Sequence, residues 1–260
     1  MDKKMKWPEY LMFLRHDTSE FNAMKKTKEA SELYKSFVSA YEKNSSSDEA
    51  RTLANAVFEK FCLKDGDAQT KLADAEGKQA YRTGLALSKK SEKPDIIFVS
   101  PYLRTKETLR HLTRGWRDLE GVRVIEDERL REQDHGLAGL YNDWRIFYVL
   151  HPEQKLLYEK EGQYYYRYTN GESVPDVRER NRSWIATLIR DFSEKKVLVV
   201  SHHLALLSLR ANLERLDAKE FIRLDQEEKP INCGVTLYRG NPDKGVNGKF
   251  ELVFYNQKYY

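Results

Sequence analysis

Residues 10–16 read YLMFLRH, in which five apolar side chains are followed by an arginine and a histidine. An unbroken apolar run of this length is typical of a strand that is buried on both faces of a sheet. Two further runs share this character, IIFV at residues 96–99 and VLVV at residues 197–200. The three runs therefore predict the centre of a sheet. Weaker strand candidates lie at residues 122–125, 235–238 and 252–255.

The segments between these runs carry apolar residues at helical spacing. Leu109, Leu112 and Trp116 fall on one stripe, and Ile185 and Leu188 fall on another. Strands that alternate with helices favour a layered α/β fold whose sheet is at least partly parallel. We therefore predict an α/β three-layer sandwich, with a largely parallel central sheet flanked by helices.

One segment, residues 23–66, has a different pattern. It contains two polar helical stretches, separated by a serine-rich turn at residues 44–47. Ser46 and Glu49 have the spacing of a capping box, which predicts the start of the second helix. With 260 residues, of which 40% are hydrophobic and 33% charged, the chain is long enough for one large domain. We predict a single domain at residues 1–260, interrupted by an inserted helical hairpin at residues 23–66.

Charge and cysteine content argue against several classes of protein. The 45 lysines and arginines nearly balance the 41 aspartates and glutamates, so the net charge of +4 gives no reason to expect nucleic-acid binding. Cys62 and Cys233 are far apart without metal-ligand spacing, so we expect no disulfide framework and no structural zinc. The basic stretch at residues 1–6 is followed by Pro8 and Glu9, so we expect neither a secretion signal nor a membrane span. We expect a cytoplasmic protein.

Polar side chains suited to binding phosphate follow the three strong runs. Arg15 and His16 end the first run, Arg104 lies just beyond the second, and His202 and His203 follow the third. In open α/β sheets ligands bind at the carboxyl ends of the strands, where these side chains would meet. Arginine forks bind phosphoryl oxygens, and imidazole can act as a nucleophile or proton donor. The pattern indicates a phosphate site, although an Arg–His pair alone is more often a surface feature, and two histidines can form half of a metal site.

Four motifs, in chain order, resemble those of the histidine phosphatases, also called the phosphoglycerate mutase-like superfamily. They are LRHDTSEFN at residues 14–22, SPYLRTKET at 100–108, LREQDHG at 130–136 and VLVVSHH at 197–203. The resemblance spans the chain apart from the insert, and four motifs in order are far more specific than any one of them. It implies the phosphoglycerate mutase-like fold and a small-molecule phosphomonoester as substrate.

The resemblance also implies a mechanism. His16 would be the nucleophile that becomes phosphorylated, and Glu132 would be the general acid and base. The hydrolysis would be independent of metals and cofactors, because guanidinium and imidazole groups would supply the positive charge that magnesium supplies in many other phosphoryl-transfer enzymes. The implied phosphate-binding side chains, to which we add His203, are Arg15, Asn22, Arg104 and His202.

Two residues depart from the family pattern. Asp17 and His203 stand where the family has a glycine after the first and after the second histidine. A glycine at such a position usually permits unusual backbone angles or the close approach of a ligand. Asp17 either orients a histidine or repels phosphate, and His203 either faces away or adds a contact. These departures keep open a catalytically weakened protein that binds phosphate or acts as a scaffold.

Phosphoglycerate mutase-type transfer is the other alternative. The mutase branch has an arginine pair and a tyrosine after the catalytic glutamate, whereas here His135 is the third residue after Glu132 and the middle segment has no Arg-Arg pair. Hydrolysis is therefore favoured. The aromatic segment at residues 144–168 either walls the leaving-group site or packs a helix onto the sheet. We also expect the insert to cover the carboxyl edge of the sheet, because the insert begins directly after Asn22.

Overall fold

The computed structural model describes residues 5–260, so the first four residues of the basic stretch at 1–6 lie outside it. Its centre is a sheet in which β1 to β4 run parallel, while β5 pairs antiparallel with β1 and β6 pairs antiparallel with β5. The strand order is β3-β2-β4-β1-β5-β6. The strands are β1 (Tyr10–Arg15), β2 (Ile96–Val99), β3 (Arg123–Glu126), β4 (Lys196–Ser201), β5 (Val235–Asn241) and β6 (Lys249–Gln257).

Helices cover both faces of this sheet. The helices are α1 (Glu20–Ala30), α2 (Glu32–Asn44), α3 (Asp48–Phe61), α4 (Lys78–Lys90), α5 (Leu103–Gly115), α6 (Trp144–Leu150), α7 (Pro152–Tyr165), α8 (Val174–Asp191), α9 (His203–Glu214) and α10 (Ala218–Glu227). Met12 and Leu14 of β1 pack with side chains of α4 and α5, whereas Leu11 and Phe13 pack with α8 and α9. Both faces of β1 are therefore buried, and the predicted three-layer sandwich with a largely parallel sheet is confirmed.

The strand predictions hold best at the centre of the sheet. The run at residues 96–99 is the whole of β2, and the runs at 10–14 and 197–200 each fall short of their strand by one or two residues. The length of the last strand was underestimated, since β6 starts three residues before the predicted segment at 252–255. Its side chains are only partly buried, so it lacks the unbroken apolar run that marks the central strands.

The segment predicted to be an insert, residues 23–66, contains most of a further helix, α1, in addition to the predicted hairpin. Ser31 separates α1 from α2, because its backbone is extended and its hydroxyl accepts a hydrogen bond from Tyr34 N at 3.2 Å. The predicted capping box at Ser46 is wrong. Ser47 caps α3 instead, accepting from Ala50 N at 3.1 Å, while Ser46 lies in the preceding turn. The hairpin of α2 and α3 is otherwise present.

The predicted insert packs against helix α6. Apolar side chains of α2 and α3 pack against Ile146 and Val149 in one buried cluster. Next to it, Lys28 Nζ of α1 lies 2.6 Å from Asp143 Oδ2, and Tyr34 donates its hydroxyl to the same oxygen at 2.8 Å. Asp143 also caps α6, so one buried carboxylate joins the two regions. Within residues 5–260, every helix is too short or too polar to cross a lipid bilayer.

Candidate active site

Three neighbouring strands deliver the predicted site residues to one edge of the sheet. The order β2-β4-β1 places the ends of these strands side by side. As a result the imidazole rings of His16 and His202 lie edge to face, with centroids 5.2 Å apart. Arg104 lies in the first turn of α5, just after β2, and its charge acts on both histidines. The structure thus brings together the side chains that sequence predicted for a phosphate pocket.

His16 is a buried imidazole that its surroundings keep neutral. Its side chain is buried, with only 4% of the residue exposed, and Nδ1 lies 2.6 Å from the carbonyl oxygen of Asp17. A carbonyl can only accept, so the ring proton is assigned to Nδ1 and Nε2 keeps its lone pair. Burial, followed by the charges of Arg104 and Arg15, holds the pKa of His16 well below its usual value. The imidazole is therefore neutral near pH 7, as nucleophilic attack requires.

His202 is the second buried imidazole of the pocket. Its Nε2 lies 2.7 Å from Ser100 Oγ, while Nδ1 is buried and has no hydrogen-bond partner among residues 5–260. When the Ser100 hydroxyl donates to Nε2, the ring proton lies on Nδ1, where it can donate to a phosphoryl oxygen. Burial and the charge of Arg104 also hold the pKa of His202 well below its usual value.

The two predicted phosphate-binding arginines differ in what they contact. Arg15 donates from Nη1 to the carbonyl oxygen of Pro230 at 2.7 Å, and its buried Nε has no hydrogen-bond partner in the described part of the chain. Arg104, by contrast, is bound to Asp67. Its Nη1 lies 2.5 Å from the carbonyl oxygen and 2.9 Å from Oδ1 of Asp67, and its Nη2 lies 3.3 Å from Oδ2. A carboxylate thus occupies the fork that would hold a phosphoryl group.

Asp67 belongs to a segment that we call the strap, residues 62–69, which connects α3 to the chain beside the pocket. The Asp67 side chain is 57% exposed, whereas that of Arg104 is 6% exposed. Sequence reasoning missed this contact. Its only signal was the position of the strap, which begins within the predicted insert and ends at residue 69, ahead of α4.

Glu132 is held at the N-terminus of α9. Its Oε1 accepts hydrogen bonds from Gln133 N at 3.0 Å, Leu204 N at 3.0 Å and Ala205 N at 3.2 Å. Oε2 has only the longer contact of 3.3 Å with Leu204 N. The carboxylate therefore lies next to His202, the residue that precedes α9, and Oε2 is the oxygen that can accept a further hydrogen bond.

A second row of charged residues supports the loop that carries Glu132. Glu172 accepts from Arg180 Nε at 2.9 Å and from Arg131 Nη2 at 2.8 Å, both through Oε1. Burial tends to raise the pKa of Glu172, but the contacts with Arg180 and Arg131 hold it below its usual range. Arg180 also donates to the carbonyl oxygen of Glu132 at 3.0 Å. Sequence reasoning missed Arg180, which stands among several other arginines on α8.

The Asp17 carboxylate is engaged with a helix, while its backbone carbonyl oxygen contacts His16 Nδ1. Its Oδ1 accepts from Thr18 N at 2.6 Å, and its Oδ2 accepts from Ala80 N, in the first turn of α4, at 2.9 Å. The residue at the start of α4 is Gly77, which has no side chain to cap the helix. Asp17 therefore supplies a cap from outside the helix. Burial raises its pKa, which these backbone donors partly offset.

Asn22 lies close to the pocket but is already hydrogen-bonded. Its Oδ1 accepts from Ser19 N at 3.1 Å and thereby completes the cap of α1. Asn232, which sequence reasoning missed, donates to Asn22 Oδ1 at 3.2 Å and to the His16 carbonyl oxygen at 2.9 Å. Asn22 thus has only its amide nitrogen to offer a ligand.

The aromatic segment packs largely into one cluster, and its other possible role, as a wall of the leaving-group site, stays a prediction. Phe147 and Tyr148 are buried in a cluster with Ala138, which fits packing. Tyr158 and Tyr168 are partly exposed, and the ring of Tyr168 lies 4.9 Å from that of His135.

Within residues 5–260, no cluster of three or more His, Cys, Asp and Glu side chains is placed to hold a metal ion.

Comparison with known sequences gives one family and several relatives. The model of the histidine phosphatase superfamily (branch 1) matches residues 62–251, beyond the motif that contains His16. The phosphoglycerate mutase-like protein AT74H of Arabidopsis thaliana is 31% identical over 172 residues, 62% of this chain and 56% of that protein. A 2,3-bisphosphoglycerate-dependent phosphoglycerate mutase of Rhizobium meliloti is 28% identical over 188 residues, 66% of this chain and 79% of that protein. The chain spans about half the length of the first of these relatives.

Solved structures agree with the fold. A mycobacterial glucosyl-3-phosphoglycerate phosphatase superposes with a TM-score of 0.64 at 19% identity, covering 96% of this chain and 99% of the other. A putative alpha-ribazole-5'-P phosphatase from Escherichia coli superposes with a TM-score of 0.67 at 18% identity, covering 96% of this chain and 97% of the other. At these identities the likeness extends to the fold and not to the substrate.

Proposed function

Because the chain belongs to the histidine phosphatase superfamily, we propose that it hydrolyses small-molecule phosphomonoesters through a phosphohistidine on His16. The observation that carries this proposal is the state of His16, a buried neutral imidazole whose Nε2 lone pair is available beside two arginines and a second histidine. Phosphatases of this fold and a mutase among the relatives support phosphoryl chemistry in general. We further propose that residues 1–260 form one catalytic domain, with residues 23–66 as its insert.

In the first step the phosphoryl group is bound and transferred to His16. Arg15 and Arg104 hold its oxygens, and His202 donates from Nδ1, which concentrates positive charge where the transition state is negative. Nε2 of His16 forms a bond to phosphorus as the bond to the ester oxygen breaks. The leaving oxygen needs a proton because an alkoxide is a poor leaving group, and Glu132 would supply it from Oε2, whose one contact is the long one with Leu204 N. No metal or cofactor takes part in the proposed reaction.

In the second step water releases the phosphate. The oxygen of a water molecule bonds to phosphorus while Glu132 takes a proton from that water, and the bond between phosphorus and His16 Nε2 breaks. The buried contacts of Glu132 with α9 keep its carboxylate in place for both steps. Arg104 must release Asp67 at least in part when phosphate binds, because the carboxylate uses both terminal nitrogens of its guanidinium.

The test is hydrolysis of p-nitrophenyl phosphate in buffer that contains a chelator. Wild-type protein should release nitrophenolate, and His16→Ala should reduce the rate to the uncatalysed background. His151→Ala is the matched control, because His151 lies at the junction of α6 and α7 and contacts Tyr141 outside the pocket. Equal rates in wild type and His16→Ala would contradict the proposal and favour a phosphate-binding protein. Phosphate transfer to an added alcohol without release would favour a mutase.

A further inference from the structure

The two residues that depart from the family pattern, Asp17 and His203, point to different parts of the molecule. His203 faces α10, where its Nε2 lies 2.8 Å from Asp225 Oδ1. Asp17 directly follows the proposed nucleophile and is only 3% exposed. Its φ angle lies outside the left-handed region, so a residue with a side chain fits there without backbone strain. The backbone at this position therefore does not require the glycine of the family.

The peptide between Asp17 and Thr18 links the Asp17 carboxylate with His16. On one side of this peptide the carbonyl oxygen lies 2.6 Å from His16 Nδ1, and on the other side Thr18 N donates to Asp17 Oδ1 at 2.6 Å. Because the N–H and the C=O of a trans peptide point in opposite directions, the two contacts together fix the plane of the peptide. A carboxylate that accepts from the N–H also polarises the peptide, which strengthens its carbonyl oxygen as an acceptor.

The Asp17 carboxylate is itself held in place by the framework around it. Its other oxygen, Oδ2, accepts from Ala80 N in the first turn of α4 at 2.9 Å. The backbone N–H of Asp17 donates to Thr108 Oγ1 of α5 at 2.9 Å. Two helices therefore determine where the Asp17 carbonyl oxygen lies, and with it the orientation of the His16 ring.

We propose that Asp17 is a positioning residue, whose carboxylate holds the carbonyl that keeps the proton of His16 on Nδ1 and the lone pair on Nε2. The inference rests on the proposed function and deepens it, because attack by Nε2 on phosphorus requires this tautomer. In the other tautomer the proton would lie on the nitrogen that must bond to phosphorus. Asp17 acts through His16, since both of its carboxylate oxygens accept from backbone N–H groups.

The first measurement reads the tautomer directly. Long-range ¹H–¹⁵N correlation NMR of protein labelled with ¹⁵N-histidine distinguishes a protonated from an unprotonated ring nitrogen, and the His16 signals are those that His16→Gln lacks. Wild-type protein at neutral pH should carry the proton on Nδ1. Asp17→Ala should shift His16 to the other tautomer or to a mixture of both. Asp17→Asn, whose amide has one acceptor oxygen for two N–H groups, should give a smaller shift in the same direction.

The second measurement is the rate of p-nitrophenyl phosphate hydrolysis. Asp17→Ala should lower kcat by about 10–100-fold, the cost of a slightly misplaced reacting group. KM should change little, because the phosphate-binding side chains remain. Asp74→Ala is the matched control, since Asp74 accepts from Glu76 N at 3.0 Å and from Lys78 N at 3.3 Å at the start of the same helix. It should lower the midpoint of thermal unfolding but leave kcat and the His16 tautomer as in wild type.

The inference requires both changes in the same variant. An unchanged tautomer or an unchanged kcat in folded Asp17→Ala would overturn it. The same two changes in Asp74→Ala would also overturn it, because they would follow from the stability of α4 alone. If Asp17→Ala does not fold, Asp17→Asn decides by the same criteria. If wild-type protein hydrolyses no phosphomonoester, the proposed function itself fails, whereas the NMR measurement still shows whether Asp17 sets the tautomer of His16.

Discussion

The pocket floor and its cover are built differently. We call Arg15, His16 and His202 the floor, and we call the helices α1–α3 with the strap, which we predict to lie over the carboxyl edge of the sheet, the cover. The floor residues follow strands that are buried on both faces, and hydrogen bonds such as the one between His16 and the Asp17 carbonyl fix them. The cover is joined to the rest by apolar packing on α6, by a buried ion pair and by an exposed aspartate on Arg104.

This difference leads us to assign phosphoryl transfer to the floor and substrate entry to the cover. The positions of the floor residues can change only if the sheet itself is disturbed, because β1 and β4 lie at its centre. The cover is attached outside the sheet, by side-chain contacts and by a backbone hydrogen bond from Glu20 N to the carbonyl oxygen of Lys71 at 2.9 Å. We therefore expect substitutions in the floor to change the rate of phosphoryl transfer, and substitutions in the cover to change stability and substrate entry.

The largest effect on stability should come from the ion pair that fastens the cover. Lys28→Met leaves Asp143 buried without its cation and should lower the free energy of unfolding by about 3–5 kcal/mol, as is usual for a broken buried pair. Lys25→Met is the matched control, because Lys25 is exposed and lies 3.9 Å from Glu29, and it should cost less than about 1 kcal/mol. Urea denaturation measures both. Equal losses would show that the cover is not anchored at Lys28.

The largest effect on activity after the loss of His16 should come from Arg15. Arg15→Ala removes a donor from the developing charge on phosphate and should lower kcat/KM by about 10²–10³-fold. The control is Arg123→Ala, an exposed position on β3. The measurement is steady-state hydrolysis of p-nitrophenyl phosphate by folded variants. A change below about three-fold for Arg15→Ala would remove this arginine from the phosphate site.

Acid should destabilise the protein through the two floor histidines. The folded pKa of both His16 and His202 is lowered from 6.5, so the unfolded chain binds more protons as the pH falls. Their stabilising contribution is complete above pH 6.5 and is lost as the pH falls below it, by up to about 1.4 kcal/mol per pH unit for each histidine. The midpoint of thermal unfolding should therefore drop between pH 7 and pH 5, and less so in His16→Gln. The same slope in both proteins would contradict this origin.

The smallest predicted effect concerns the strap. Asp67→Asn removes the carboxylate that competes with phosphate for Arg104 and should lower KM about two- to five-fold, in keeping with an exposed ion pair, with kcat changed little. Asp65→Asn, an exposed acid on the same strap, is the control for charge alone. A fall in kcat with KM unchanged would show instead that Asp67 positions Arg104 for catalysis.

Sequence predicted the floor well because its information is local. An apolar run of four to six residues identifies a central strand, and the next residues must then lie at the edge of the sheet. The contacts of the Asp17 side chain could not be predicted in this way. Its carboxylate caps α4, and nothing near Asp17 in the sequence shows that the start of this helix lies beside it.

The cover and the supports of the site depend on pairs that are distant in sequence. Lys28 and Asp143 are 115 positions apart, and Arg104 and Asp67 are 37 positions apart. Each of these residues, read alone, is an ordinary surface charge. Packing of whole helices decides which charges meet, so pairs such as His203 with Asp225 emerge only from the folded chain.

The most direct test of the account is to trap the phosphoenzyme. Wild-type protein and His16→Ala are mixed with a ³²P-labelled phosphomonoester, quenched in alkaline denaturant, digested and mapped. The account predicts label on the wild-type peptide that contains His16, lost on mild acid treatment and absent from His16→Ala. Turnover by wild type without label on that peptide, or equal label in both proteins, would contradict it.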